Sequence, residues 1–276
     1  MSTVREAIGA ARLAGLDRLD AQLLLGHVIG RDRAWLLAHD DETLPARQQA
    51  QFDALVNRRR HGEPVAYLLG EKEFHGLALQ VDARVLVPRP DTEVLVDWAV
   101  ELLRHDLAGI ERPSVVDLGT GSGAIALAVK HDCPAATLTA SDASADALAM
   151  AQANARRLGL AVEWVQGSWW SALPGRKFDL ALSNPPYIAA GDAHLGALAA
   201  EPIAALTPGP SGLEALREIV AGAGTHLRPR AWLLLEHGFD QGEAVRGLLR
   251  SAGFTDVQTR QDLGGQPRCT GGRRQP

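Results

Sequence analysis

Between residues 113 and 260 short apolar runs alternate with stretches of helical period, and this alternation restricts the fold more than any other property of the chain. Val115-Val116-Asp117-Leu118 reads as a buried strand, followed by Gly119-Thr120-Gly121-Ser122-Gly123 and a helix through Val129. The next strand is expected at 137 to 140, ahead of a helix from Ala145 to Leu158. Further strands are expected at 162 to 165, 178 to 182, 231 to 236 and 255 to 260, with helices near 211 to 227 and 241 to 252. Strands that alternate with helices pair in parallel and are covered on both faces. The pattern therefore predicts a doubly wound α/β domain with ligands at the carboxyl ends of its strands.

The residues before this domain have a different period. From Val4 to Arg60 the apolar spacing is helical, with Asp17 and Asp20 as helix-start signals, a break at Gly30-Arg31-Asp32, and Pro45 suited to a first turn. Arg58-Arg59-Arg60-His61 complements the dipole at a helix end, and the other reading is a contact with an acidic partner or an RNA surface. Residues 66 to 88 alternate around Gly76 as a β-hairpin, and Pro88-Arg89-Pro90-Asp91-Thr92-Glu93 opens a helix running to about His105. The division expected is a helical bundle over 1–65, a hairpin linker over 66–88 and the α/β domain over 89–276. The last dozen residues, rich in Gly and Arg, are expected to fray.

Composition narrows the function classes. Residues 1 to 90 carry 12 basic and 12 acidic side chains and the rest 16 and 21, which is not the balance of a protein that grips a duplex by its phosphates. Cys133 and Cys269 are too few for a disulfide framework and are not spaced as zinc ligands, so a reducing, cytoplasmic setting is expected. The nine histidines show no paired ligand spacing, and no metal is expected. Neither a run of ~18 apolar residues nor a signal-peptide core is present, so no membrane partner is expected.

Two stretches carry chemistry. The alternate glycines 119, 121 and 123, between strand and helix, let the backbone approach a ligand closely. With Ala124 they also fit the dinucleotide fingerprint, and Asp142, at the end of the second strand, is placed to accept from ribose hydroxyls. These residues identify an adenosine cofactor and leave open which one, NAD included. The second stretch, Ser183-Asn184-Pro185-Pro186-Tyr187, closes the run at 178 to 182. Two prolines make a stiff ledge without N–H donors, where the Asn184 side-chain carbonyl and the Pro185 backbone carbonyl form a pair of acceptors. Such a pair suits a planar NH2 group, with the Tyr187 ring as a flat face. An NH2 held beside an adenosine cofactor favours an N-methyltransferase.

Asp117-Leu118-Gly119-Thr120-Gly121-Ser122-Gly123 resembles the first motif of class I methyltransferases, and Asn184-Pro185-Pro186-Tyr187 the signature of amino-methyltransferases acting on adenine in DNA or glutamine in proteins. Glu63-Pro64-Val65-Ala66-Tyr67-Leu68-Leu69-Gly70 with Glu73-Phe74, Val87-Pro88-Arg89-Pro90-Asp91-Thr92-Glu93 and Leu235-Glu236-His237-Gly238 resemble the peptide-chain release factor glutamine-N5 methyltransferases, the PrmC/HemK family. The resemblance covers nearly the whole chain. It implies a class I methyltransferase-like fold and S-adenosyl-L-methionine as cofactor, with S-adenosyl-L-homocysteine as product. The substrate it implies is the glutamine of the Gly-Gly-Gln motif in class I peptide-chain release factors.

By the same resemblance Gly119, Thr120, Gly121, Ser122, Gly123, Asp142, Trp169 and Asn184 bind the cofactor, with Trp170 the rival of Trp169. Asn184, Pro185, Pro186 and Tyr187 hold the glutamine, with Asn184, Pro185 and Tyr187 catalytic. The bundle docks the release factor, the protein is a monomer, and no direct nucleic-acid binding is expected. An adenine-N6 or guanine-N2 methyltransferase shares the ledge and is the alternative. The chain departs from the family pattern at Ser168, where an acidic residue is common, and at Ala197-Leu198-Ala199-Ala200-Glu201-Pro202. Gly264-Gly265-Gln266 repeats the substrate tripeptide, and chance in a Gly-rich tail accounts for it.

Overall fold

The computed structural model describes residues 2–276. The chain divides into two compact units, one formed by the residues up to Glu71 with Ala197–Ala200, the other by Lys72–Gly196 with Glu201–Pro276.

The first unit holds α1 (Val4–Leu13), α2 (Arg18–Ile29), α3 (Arg33–Ala38), α4 (Ala46–Arg60) and α5 (Val65–Leu69). Polar caps set the starts of α1, α2 and α3, and prolines precede α4 and α5: at α1 the Thr3 hydroxyl accepts from the Glu6 N–H at 3.2 Å while Glu6 accepts from the Thr3 N–H at 2.9 Å. Asp17 caps α2, and Asp20 lies inside its first turn. Val4, Leu24, Leu25, Leu36 and Phe52 are the buried centre of the unit. Two of the three arginines ending α4 are committed to carboxylates within it, Arg58 to Glu63 and Arg59 to Asp20. Residues 65–69 form a helix, whereas the sequence placed 66–69 within the β-hairpin segment 66–88. Gly70 ends it in a left-handed conformation.

The hairpin β1 (Glu71–Phe74) and β2 (Leu77–Gln80) follows, and from Lys72 onward it belongs to the second unit. A 3-10 turn over Pro90–Thr92 leads into α6 (Glu93–Arg104). There follow β3 (Ser114–Leu118), α7 (Ala124–Asp132), β4 (Thr137–Asp142), α8 (Ala145–Leu158), β5 (Glu163–Gln166) and β6 (Phe178–Ser183). The chain continues through α9 (Glu214–His226), β7 (Leu227–Glu236), α10 (Gly242–Ser251), β8 (Phe254–Gln261) and β9 (Pro267–Arg274).

The large sheet has the order β5-β4-β3-β6-β7-β9-β8, with β9 antiparallel to both neighbours and the other pairs parallel. Alternate residues of its strands enter opposite cores. Val115, Leu180, Leu182 and Leu234 pack with α6 and α7, whereas Val116, Ala181, Leu233 and Leu235 pack with α9 and α10. Both faces are covered, as expected for a doubly wound sheet.

The tail does not fray. Residues 267–274 form β9, inserted between β7 and β8. Its glycines are a packing requirement, since a Cβ on Gly271 would collide with Leu234 and come within 2.7 Å of Trp98. Gly264-Gly265-Gln266 lies in the turn before this strand, where the Asp262 side chain accepts from the Gln266 N–H at 2.9 Å. Among the described residues no helix is long and apolar enough to cross a membrane.

Candidate active site

The order of the strands reverses between β3 and β6, so their carboxyl ends lie side by side with Leu118 opposite Ser183. The Ser183 hydroxyl donates to the Leu118 carbonyl at 2.7 Å. The glycine loop and the Asn-Pro-Pro-Tyr ledge therefore leave the sheet as neighbours. A cavity of about 350 Å³ opens there.

From the glycine loop the lining takes Gly119, Thr120, Gly121 and Ser122. Gly119 has φ +74°, and a Cβ on it would lie 3.0 Å from the Trp169 ring, so the loop and the aromatic wall fit only around glycine. Gly123 is not in the lining; it starts α7, and a Cβ there would press on Ala151 at 3.1 Å. Asp142 accepts from the Gly121 N–H at 2.9 Å through one carboxylate oxygen and from the Ser144 N–H at 2.9 Å through the other. Trp169 lines the cavity. Trp170 is buried instead, donating to the Ile219 carbonyl at 2.7 Å and stacking on His226. The structure thus separates the two tryptophans that the sequence left as rivals.

From the ledge the lining takes Asn184 and Pro186. Pro185 is buried and Tyr187 half-buried, and neither side chain reaches the cavity. The Tyr187 ring packs against the α9 and α10 side of the core, and its hydroxyl donates to Glu236 at 3.3 Å. It therefore anchors the ledge, where the sequence suggested a face stacked on the ligand. Its carbonyl accepts from Gln241 Nε2 at 3.0 Å, which ties the ledge to the loop after β7.

Several lining residues escaped the sequence reading. Thr92 is buried and accepts from Asn184 Nδ2 at 3.2 Å. Arg89, also in the lining, pairs with the buried Glu201, which accepts from the Val87 N–H at 3.0 Å. Glu201 belongs to the 197–202 stretch that departs from the family pattern. Thr92 and Arg89 stand in the Pro88 to Glu93 stretch noted for its resemblance, which was the available signal.

Two buried carboxyls bear on the site. Burial pushes Asp117 up to about 7, against the Thr120 hydroxyl that donates to it at 2.6 Å. Burial likewise pushes Glu236 up to about 7, opposed by neighbouring Thr92 and Arg268. Burial holds His237 below the usual histidine range. The neutral ring donates from Nδ1 to the Gly238 carbonyl at 2.8 Å and accepts at Nε2 from the Thr270 hydroxyl at 2.7 Å.

The cavity suits an adenosine sulfonium compound. The carboxylate of Asp142 and the Trp169 ring supply a polar edge and an apolar wall, and Ala143, Ala147 and Ile125 extend the wall. Among the described residues Asp117 Oδ1 is buried without a hydrogen-bond partner, and none fills the space beside Gly121.

Known proteins resemble this chain over nearly its whole length. The family described as PrmC N-terminal domain matches residues 4–70, and the one described as Methyltransferase small domain matches residues 92–208. A release factor glutamine methyltransferase from Bordetella pertussis is 51% identical, covering 94% of this chain and 95% of that protein. One from Xylella fastidiosa (strain Temecula1) is 50% identical, covering 97% of each. Among solved structures, the Thermus thermophilus 16S rRNA N2 G1207 methyltransferase in complex with AdoMet and guanosine superimposes with a TM-score of 0.55 at 18% identity, covering 74% of this chain and 50% of that one. At that identity the likeness concerns the fold alone.

Proposed function

The chain belongs to the release factor glutamine methyltransferases, and from that premise we propose that it methylates the side-chain amide nitrogen, N5, of the Gly-Gly-Gln glutamine in class I release factors. It is an enzyme that uses S-adenosylmethionine, which supplies a methyl group on a sulfonium centre when bound. The observation that carries the residue assignment is the adjacency of the glycine loop and Asn184 in one cavity.

The residues divide the work as follows. Gly119, Thr120, Gly121 and Ser122 hold the methionine part, Asp142 the ribose and Trp169 the wall beside the adenine. Gly123 acts through the loop conformation. Asn184 Oδ1 and the Pro185 carbonyl accept the two hydrogens of the glutamine amide. A carboxamide nitrogen is a poor nucleophile because its lone pair is delocalised. Two acceptors on its hydrogens raise its electron density and turn the lone pair toward the methyl. Near-attack positioning of this kind contributes ~7 to 11 kcal/mol. Fixed dipoles also favour the positive charge that develops on nitrogen. Water takes the proton from the product cation, so no general base precedes transfer. Pro186 walls the cavity, and Tyr187 keeps the ledge in place. The helical unit docks the release factor, and the protein works as a cytoplasmic monomer without direct nucleic-acid contact.

The test is incubation with labelled S-adenosylmethionine and a recombinant class I release factor, followed by mass spectrometry of the Gly-Gly-Gln peptide. One added methyl on that glutamine is expected. Asn184→Ala is expected to lower turnover by roughly a hundredfold while leaving cofactor affinity within about threefold. Transfer to RNA or DNA in place of the peptide would overturn the substrate assignment.

A further inference from the structure

Beside Asn184, a buried hydroxyl keeps a hydrogen to donate, and a buried carboxylate oxygen has no hydrogen-bond partner among the described residues. Thr92 Oγ1 accepts from Asn184 Nδ2 at 3.2 Å, and a hydroxyl that accepts still has its own hydrogen to donate. Glu236 Oε1 accepts from the Tyr187 hydroxyl at 3.3 Å. Its other oxygen, Oε2, is buried and has no hydrogen-bond partner among the described residues. The Thr92 hydroxyl acts on that carboxyl in the sense of a donor, favouring its ionised form. Thr92 is 3% exposed and Glu236 1%, so water does not offer either group an easy alternative.

We propose that Thr92 donates to Glu236 Oε2 and thereby fixes the amide of Asn184 with Nδ2 on Thr92 and Oδ1 toward the cavity, which makes Thr92 and Glu236 positioning residues for methyl transfer. The inference rests on the reading of the site as a glutamine-amide methyltransferase and deepens it.

The physical need arises because the two ends of an asparagine amide have nearly the same shape, so hydrogen bonds alone decide which faces the cavity. A flipped Asn184 would present NH2 to the NH2 of the substrate. With its hydrogen given to Glu236, the Thr92 hydroxyl offers Asn184 only lone pairs, and the amide must donate. A protonated Glu236 no longer requires that hydrogen and offers one of its own, so the bias on Asn184 is lost. Around the carboxyl stand Asp91 and Thr92 from the turn before α6, Tyr187 from the ledge, Arg268 and Cys269 from β9, and His237, the residue that follows β7. Arg268 favours the ionised form and Asp91 the neutral one. Burial leaves the carboxyl near 7, so turnover follows its ionisation across neutral pH.

The experiment measures kcat, KM for a class I release factor and Kd for S-adenosylmethionine in wild type, Asn184→Ala, Thr92→Val, Thr92→Ser and Glu236→Gln between about pH 6 and pH 8. Thr92→Val keeps the shape and loses the hydroxyl. Its kcat is expected to fall roughly tenfold to a hundredfold, with cofactor affinity within about threefold, and Thr92→Ser is expected to recover most of the loss. Glu236→Gln is expected to abolish the rise of kcat with pH, a readout a merely structural role would not move. Wild-type turnover in Thr92→Val, equal loss in Thr92→Ser, or an unchanged pH profile in Glu236→Gln overturns the proposal. If Thr92→Val does not fold, the Glu236→Gln profile decides. Failure of the wild type to methylate the release factor removes the functional reading and this proposal with it. Normal wild-type transfer that Asn184→Ala abolishes and the other variants leave intact removes the positioning role alone.

Discussion

Asn154 on α8 makes three hydrogen bonds with a side chain that is wholly buried, and its replacement by leucine tests how the cofactor loop is held. Its Oδ1 accepts from the Gln80 N–H at 2.7 Å, and its Nδ2 donates to the Gln80 carbonyl at 3.0 Å and to the Ser122 carbonyl at 3.0 Å. One side chain thus closes the end of β2 onto the glycine loop. Leucine is of similar size, so the change removes polarity more than volume. At ~1 kcal/mol per hydrogen bond, the loss is about 3 kcal/mol. The Ser122 carbonyl also stays buried without its partner, which raises the total to roughly 4 or 5 kcal/mol. Urea unfolding at pH 7 reads this as a lower midpoint at unchanged slope. Calorimetric titration with S-adenosylmethionine should show weaker binding, because Ser122 lines the cavity. Destabilisation below about 1 kcal/mol with wild-type cofactor affinity would refute the reasoning.

Gly119→Ala is expected to weaken S-adenosylmethionine binding by at least about tenfold, since an L-residue at its positive φ costs ~1–2 kcal/mol and the new methyl meets Trp169. Titration of a folded variant with wild-type affinity would remove the loop from the cofactor site. A second expectation concerns pH. Glu236 is neutral in both states below the ordinary carboxyl range and ionised in both above its folded value of about 7. The folded state therefore binds more protons in between, and this group lowers stability as pH rises from about 4 to about 7, by roughly 3 kcal/mol in all. Asp117, pushed up to about 7, acts in the same sense. His237, held neutral by burial, acts in the opposite one. The difference in unfolding free energy between wild type and Glu236→Gln isolates the Glu236 contribution. A difference that favours the wild type increasingly with pH contradicts the assignment.

The alternation of strands and helices was legible because both faces of the sheet are buried, which demands apolar runs of strand length between amphipathic helices. The glycine loop and the ledge were legible for a related reason. Each is a backbone device, positive φ in one and missing donors in the other, and backbone demands are written in glycine and proline. Their adjacency followed from a strand order that reverses at β3 and β6. β9 was not legible, because its glycines serve Leu234 and Trp98 on distant elements and imitate a loose tail in composition.

The supporting polar groups were hidden for the same cause. Thr92 reads as a helix-start residue and Glu236 as the polar end of a strand. Their significance comes from meeting Asn184 and Tyr187 across separations of 92 and 49 residues. Tyr187 shows the division most clearly. The sequence by itself determined the stiff ledge, its two acceptors and the adenosine loop, because local covalent geometry sets them. Only the tertiary structure decided that the tyrosine anchors the ledge, that Trp169 and not Trp170 lines the cavity, and which polar groups are left buried beside Asn184. Those outcomes depend on which side chains lose water together, and that is a property of the folded chain.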